Sequence, residues 1–117
     1  MAFAVPPPTP ELVELSAILG PANAREVTLT FLHDTPQLIA DLAFATAAAG
    51  EVSPCQLAAH SLKSTARLVG AHTLSTMAAA IEARLVAAGP TPTRAEIEAI
   101  RTEFVRFRTV LSPFTGP

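Results

Sequence analysis

The stretch Ala59-His60-Ser61-Leu62-Lys63-Ser64-Thr65-Ala66-Arg67 holds an imidazole, the only lysine of the chain and an arginine. At about 100° per residue, His60, Lys63, Ser64 and Arg67 share one face of a helix. Cys55, Ala58, Leu62, Ala66 and Val69 fall on the opposite face, the pattern of a half-buried helix. An imidazole with one nitrogen tied in a hydrogen bond keeps a lone pair on the other and is a nucleophile. Cations one and two turns on, Lys63 and Arg67, stand where an incoming anion would sit. Phosphoryl transfer fits this set, because its loose transition state asks the protein mainly to position groups and balance charge. No GxxxxGK[ST] motif and no Gly-rich loop accompanies it, so the donor is something other than ATP bound here.

The elements around this face can be placed from their stop and start signals. Ser53-Pro54-Cys55-Gln56 opens the helix: Ser53 caps, Pro54 sits where no donor is needed, and Gln56 can complete a capping box. Gly70 ends it. Leu74, Met77, Ala78, Ile81 and Leu85 mark the next amphipathic helix, closed by Gly89-Pro90. Counting ten residues back from Gly70 reaches His60, and about the same distance forward along an antiparallel partner reaches Ile81 and Glu82. Ile81 belongs to the core stripe, so Glu82 stands at its edge, level with His60 and able to accept a bond from one ring nitrogen.

Upstream, Thr9-Pro10-Glu11 starts a short helix of Leu12, Val13, Leu15 and Leu19 that ends at Gly20-Pro21. A longer element follows from about Pro21 to Ala49, with Val27, Phe31, Leu38, Leu42 and Ala45 in phase and Gly50 as its stop. Pro36 interrupts it; the stripe keeps phase across the proline, which favours one kinked helix over two. The last helix starts near Thr93, with Glu96 completing a second capping box. It carries Ile97, Ile100, Phe104, Phe107 and Leu111, and is expected to end at Pro113. Residues 1–8 read as a flexible Pro-rich lead-in, and residues 9–113 as one domain. The fold class is all-α: an up-down-up-down antiparallel four-helix bundle with a short additional N-terminal helix.

Composition agrees. Half of the 117 residues are hydrophobic, many of them Ala, Leu and Val, and only 15% are charged. A net charge of −2 leaves no basic footprint for nucleic acid. No apolar run is long enough to span a bilayer, and basic residues are too sparse for a lipid surface. A single cysteine, Cys55, makes no internal disulfide and packs as a small apolar residue, which points to a reducing, cytoplasmic setting. His33 and His72 lack the context of His60 and read as surface or capping residues. Leu57 and Leu68 flank the His60 face as an apolar docking patch, with Gln56 and Ser64 beside them.

Ala59-His60-Ser61-Leu62-Lys63, Gly70-Ala71 ten residues after the histidine, then Leu74 and Glu82, resemble the signature of histidine-containing phosphotransfer (HPt) domains. Phe31-Leu32-His33-Asp34-Thr35-Pro36 resembles the preceding helix of that family, so the likeness covers about residues 10–112. The resemblance implies a four-helix bundle in which His60 is the phosphoacceptor, Lys63 its charge partner and Glu82 the residue that orients the imidazole. It implies a phosphohistidine carrier without ATP-dependent kinase activity, working between receiver domains of a hybrid histidine kinase or of response regulators. Mg²⁺ would be supplied by the receiver, and no cofactor is expected on this chain. Ser64 departs from the usual glycine of the family, on the face where a partner's loop would approach. Arg67 is not a fixed family feature.

A metal-binding bundle would need Glu-x-x-His pairs, and none occurs. A silent adaptor that binds receivers without chemistry would be expected to have lost His60. The chain begins with Met and carries no kinase or receiver segment, so the expectation is a stand-alone bacterial module that closes as a monomer. It relays phosphoryl groups between receiver aspartates in a two-component phosphorelay.

Overall fold

A computed structural model describes residues 5–44 and 52–116. It is all-helical, with no strand among the described residues. Five helices follow in order: α1 (Pro10–Leu19), α2 (Pro21–Asp41), α3 (Pro54–Leu68), α4 (His72–Val86) and α5 (Arg94–Thr115). The helix α2 packs against α1, α3 and α5, while α4 packs against α3 and α5, so α2 to α5 close around a shared core. Leu12, Phe31, Ile39, Leu42, Leu62, Leu74, Ile81, Ile100, Phe104 and Leu111 meet there. Phe31 and Phe104 meet edge to face at 6.0 Å, the arrangement that aromatic quadrupoles favour. Truncating a residue such as Leu62, which is fully buried, would cost about 2–5 kcal/mol.

The helix starts follow the side chains that the sequence puts there. Hydroxyls of Thr9, Ser53 and Thr93 accept from the backbone N–H of Leu12, Gln56 and Glu96, satisfying donors that the first helical turn leaves over. At Thr93 the capping box is complete, with the Glu96 carboxylate returning a bond to the Thr93 N–H at 2.9 Å. At Ser53 only the hydroxyl bond forms, so the reciprocal role expected of Gln56 is absent.

Two helix ends differ from the sequence reading. The helix α2 ends at Asp41, about eight residues early, and the Phe44 carbonyl instead accepts from the Cys55 N–H at 2.8 Å to lead into α3. Ala45 and Gly50, assigned to the end of that helix, lie outside the described residues, as do residues 1–4. Pro36 sits inside one helix, as expected, because its ring faces solvent; Thr35 is buried and its hydroxyl donates back to the Phe31 carbonyl at 2.6 Å instead of capping a new helix. Pro113 likewise fails to end α5. It is exposed, while Phe114 and Thr115 after it are buried, and Arg25 donates to the Thr115 carbonyl at 2.5 Å. On α1, Leu12 alone is fully buried; Val13 and Leu19 of the same short helix are exposed.

Both turns flanking α4 are closed by the paired bonds of a Schellman motif. After α3, Gly70 N–H donates to the Arg67 carbonyl and Ala71 N–H to Ala66. After α4, Ala88 N–H donates to Leu85 and Gly89 N–H to Arg84. Gly70 takes φ +85°, and a Cβ there would meet Thr9 and Glu11 at 2.7 Å. In the second turn the left-handed residue is Ala88, at φ 57°, not Gly89. Gly89 is needed for a different reason: a Cβ would lie 2.9 Å from the Arg84 carbonyl oxygen.

Candidate functional site

The helix α3 divides as its sequence pattern requires. Cys55, Ala58, Leu62 and Ala66 are buried, and Val69 just past its end is too. His60, Ser64 and Arg67 are exposed on the far side, with Lys63 half-buried toward α4. Ala59, directly before His60, is fully buried, so the backbone carrying the imidazole is pressed against the core. The Ser75 hydroxyl on α4 donates to the Lys63 carbonyl at 2.8 Å, locking the two helices together beside the site.

Glu82 comes from α4 at the level of His60, as the count from Gly70 predicts. Its Oε2 lies 2.5 Å from His60 Nδ1, and its Oε1 takes the Lys63 ammonium. The carboxyl is mostly buried, yet the Lys63 hydrogen bond, with His60 adding to it, holds its pKa below the ordinary glutamate value. Glu82 is therefore an anion that can only accept, which makes Nδ1–H the donor. The neutral ring then carries its lone pair on Nε2, and the side chain is 61% exposed. The arrangement can present one imidazole nitrogen to an electrophile while holding the other.

Lys63 is where the geometry departs from the sequence reading. Its ammonium is engaged by Glu82, whereas an anion-receiving role would set it free toward solvent. The long lysine stem reaches across the helix interface because α4 offers a carboxylate there. Arg67 makes no ion pair among the described residues and is the exposed cation on this face.

The remaining candidates lie on the same side of α3. Leu57 and Leu68 are exposed, at 56% and 47%, one on each side of His60 along the helix. Ser64 donates to the His60 carbonyl at 3.1 Å, so its hydroxyl is turned along the helix. Gln56 is half-buried at the first turn. His33 is exposed and hydrogen-bonded to Asp34.

Sequence reasoning gave Glu11 and His72 no joint role. His72 Nε2 lies 2.7 Å from Glu11 Oε2, and the Thr9 hydroxyl donates to the Val69 carbonyl at 2.9 Å. Together these fasten the start of α1 to the turn between α3 and α4. The link spans 61 residues in sequence, and no local pattern could have signalled it.

Among the described residues no helix is long and apolar enough to cross a membrane. A family model described as Hpt domain matches residues 26–110, from the first turns of α2 into α5. Comparison with curated proteins finds no match. Comparison with solved structures likewise finds none.

Proposed function

The chain belongs to the Hpt domain family, and from that premise we propose that His60 is its phosphoacceptor, relaying a phosphoryl group between the aspartates of two receiver domains. Hpt domains take part in histidine phosphotransfer within phosphorelays, interacting with receiver domains and kinases. The observation that carries the assignment to His60 is the bond from its Nδ1 to Glu82, which leaves the exposed Nε2 with the lone pair.

In the proposed step the Nε2 lone pair attacks phosphorus of an aspartyl phosphate. The P–O bond to the aspartate breaks, and its electron pair leaves on the carboxylate. A P–N bond forms, and the positive charge that develops on the ring is balanced at Nδ1–H by the Glu82 carboxylate. Transfer onward reverses these events on a second receiver. Mg²⁺ belongs to the receiver in this scheme. Lys63 contributes by holding Glu82 ionised, and its charge also lies close to the arriving phosphoryl oxygens. Arg67 offers the exposed cation, while Leu57 and Leu68, with Gln56 and Ser64, meet the partner's apolar surface. A monomer working in the cytoplasm fits this role. The bundle that accompanies it is up-down-up-down and antiparallel, with α1 outside the four; the three-residue link between α3 and α4 and the neighbour pairs support that reading.

The test is labelling from a phosphorylated receiver. His60→Gln should abolish uptake while the helical circular dichroism stays unchanged, and a variant that still labels would remove His60 from the role. The mark on the wild type should be acid-labile and base-stable, as a phosphoramidate is. An acid-stable mark would point to Ser61 or Ser64.

A further inference from the structure

Glu82 serves His60 only while α4 keeps one position along α3. Its Oε2 must stay within hydrogen-bond reach of His60 Nδ1, 2.5 Å away, while its Oε1 holds the Lys63 ammonium. Apolar burial brings the two helices together but has no direction of its own. Much of what they bury is alanine, Ala58, Ala59 and Ala66 on α3 and Ala78 on α4. Single methyls allow close approach but make low ridges, which interlock less than large side chains do.

Ser75 supplies a directional tie. It is 5% exposed and lies on α4 two helical turns before Glu82, about 10 Å along the axis. A serine or threonine inside a helix has the carbonyl four residues earlier within reach, and the hydroxyls of Thr28, Thr35, Thr65 and Thr115 donate there. The Ser75 hydroxyl instead crosses to α3 and donates to the Lys63 carbonyl at 2.8 Å. The residue it reaches is the one whose ammonium holds Glu82. Lys63 is thus tied to α4 twice, by its backbone to Ser75 and by its side chain to Glu82. Helical carbonyls point toward the C-terminus and side chains lean toward the N-terminus, so the two ties grip Lys63 from opposite directions along α3.

We propose that Ser75 is a positioning residue for phosphoryl transfer: its bond to the Lys63 carbonyl fixes α4 along α3 and so keeps the Glu82 carboxylate seated on both His60 Nδ1 and the Lys63 ammonium. This rests on the phosphotransfer reading of His60. The hydroxyl is buried and does not meet the phosphoryl group; it acts through Glu82. Without it the carboxylate can follow one donor away from the other, and the His60 ring is released to exchange its proton between the two nitrogens.

The His60 ring reports this without any partner. Long-range proton–nitrogen NMR spectra of the full chain are recorded in mildly alkaline buffer, with the His60 signals assigned by their loss in His60→Gln. The wild type should show one tautomer, protonated on Nδ1. Ser75→Ala should move the two ring nitrogens toward averaged shifts while circular dichroism stays unchanged. Ile100→Val, which trims the core on α5 at a comparable cost in stability, should leave the His60 signals as in wild type. Ser75→Thr, which keeps the hydroxyl, should keep the wild-type spectrum. In labelling from a phosphorylated receiver, Ser75→Ala should slow the initial rate by about threefold, and adding it to Glu82→Gln should slow transfer no further. A wild-type His60 spectrum in Ser75→Ala would overturn the proposal. So would an equal change in Ile100→Val, since any loosened core would then suffice, or a Ser75→Thr variant that melts like wild type yet gives the alanine spectrum. Losses that add in the double variant would overturn it too, by placing Ser75 outside the path through Glu82. If the wild type takes no label while Ser75→Ala still releases the ring, the phosphotransfer reading falls and the tie from Ser75 to Glu82 stands.

Discussion

Glu82 divides its two carboxylate oxygens between His60 and Lys63. Replacing it with Gln keeps one acceptor but turns an amide N–H₂ toward one of two donors, so transfer should slow by about tenfold, measured as the initial rate of label uptake. Lys63→Ala should also slow transfer with the fold intact. If Lys63 works mainly through Glu82, the double variant will be no slower than Glu82→Gln alone, because the two changes would remove one shared interaction. Additive losses would instead show Lys63 meeting the phosphoryl group itself. The placement of Glu82 was legible in the sequence because it depends only on counting residues along two helices from a glycine turn. The engagement of Lys63 was not, since a four-carbon stem can point to solvent or to a neighbour, and only the neighbour's coordinates decide.

At the scale of the helices, the residue-by-residue pattern carried most of the fold. Cys55, Ala58, Leu62 and Ala66 are buried as their spacing requires, and Thr9, Ser53 and Thr93 cap as their positions require. Helix ends were harder to read. Pro113 looks like a terminator, but its ring is exposed and the burial of Phe114 and Thr115 draws the helix onward. Val13 and Leu19 are apolar yet exposed, because a short helix clamped at one end has no partner for its whole circumference. The turn after α4 gives a direct test. Ala88 holds a left-handed backbone, φ 57°, that costs an L-residue about 1–2 kcal/mol. Ala88→Gly should recover part of that, raising the thermal midpoint by several degrees in a circular dichroism melt. Gly70→Ala should do the opposite by a larger margin, because the added Cβ meets Thr9 and Glu11 as well as an unfavourable φ.

For the molecule as a whole, acid is the condition that weakens the carboxylate pairs between its elements. The Arg84 guanidinium, on α4, and the Thr93 cap together push the Glu96 carboxyl from its ordinary value near 4.5 down to about 2, and Glu82 is lowered by Lys63. A carboxylate whose folded pKa is depressed stabilises the fold fully above its unfolded value and loses that contribution as pH falls through the folded one. Thermal midpoints should therefore hold near neutrality and drop between about pH 4.5 and about pH 2, and Glu96→Gln should start lower and fall less steeply over that range. That the chain is all-helical was plain from its composition and periodicity. The long-range ties of α1 were not, because hydrogen bonds between residues 60 apart leave no trace in local pattern. The turn at Gly70 has a consequence for how such a chain can vary. The site is split between two helices, and the residue count from His60 to Glu82 fixes whether its halves meet. One residue inserted into either helix between His60 and Glu82 would turn one half of the site by about 100° against the other and swing Glu82 away from the imidazole. The chain could therefore absorb many substitutions along α3 and α4, but scarcely a change in helix length between His60 and Glu82.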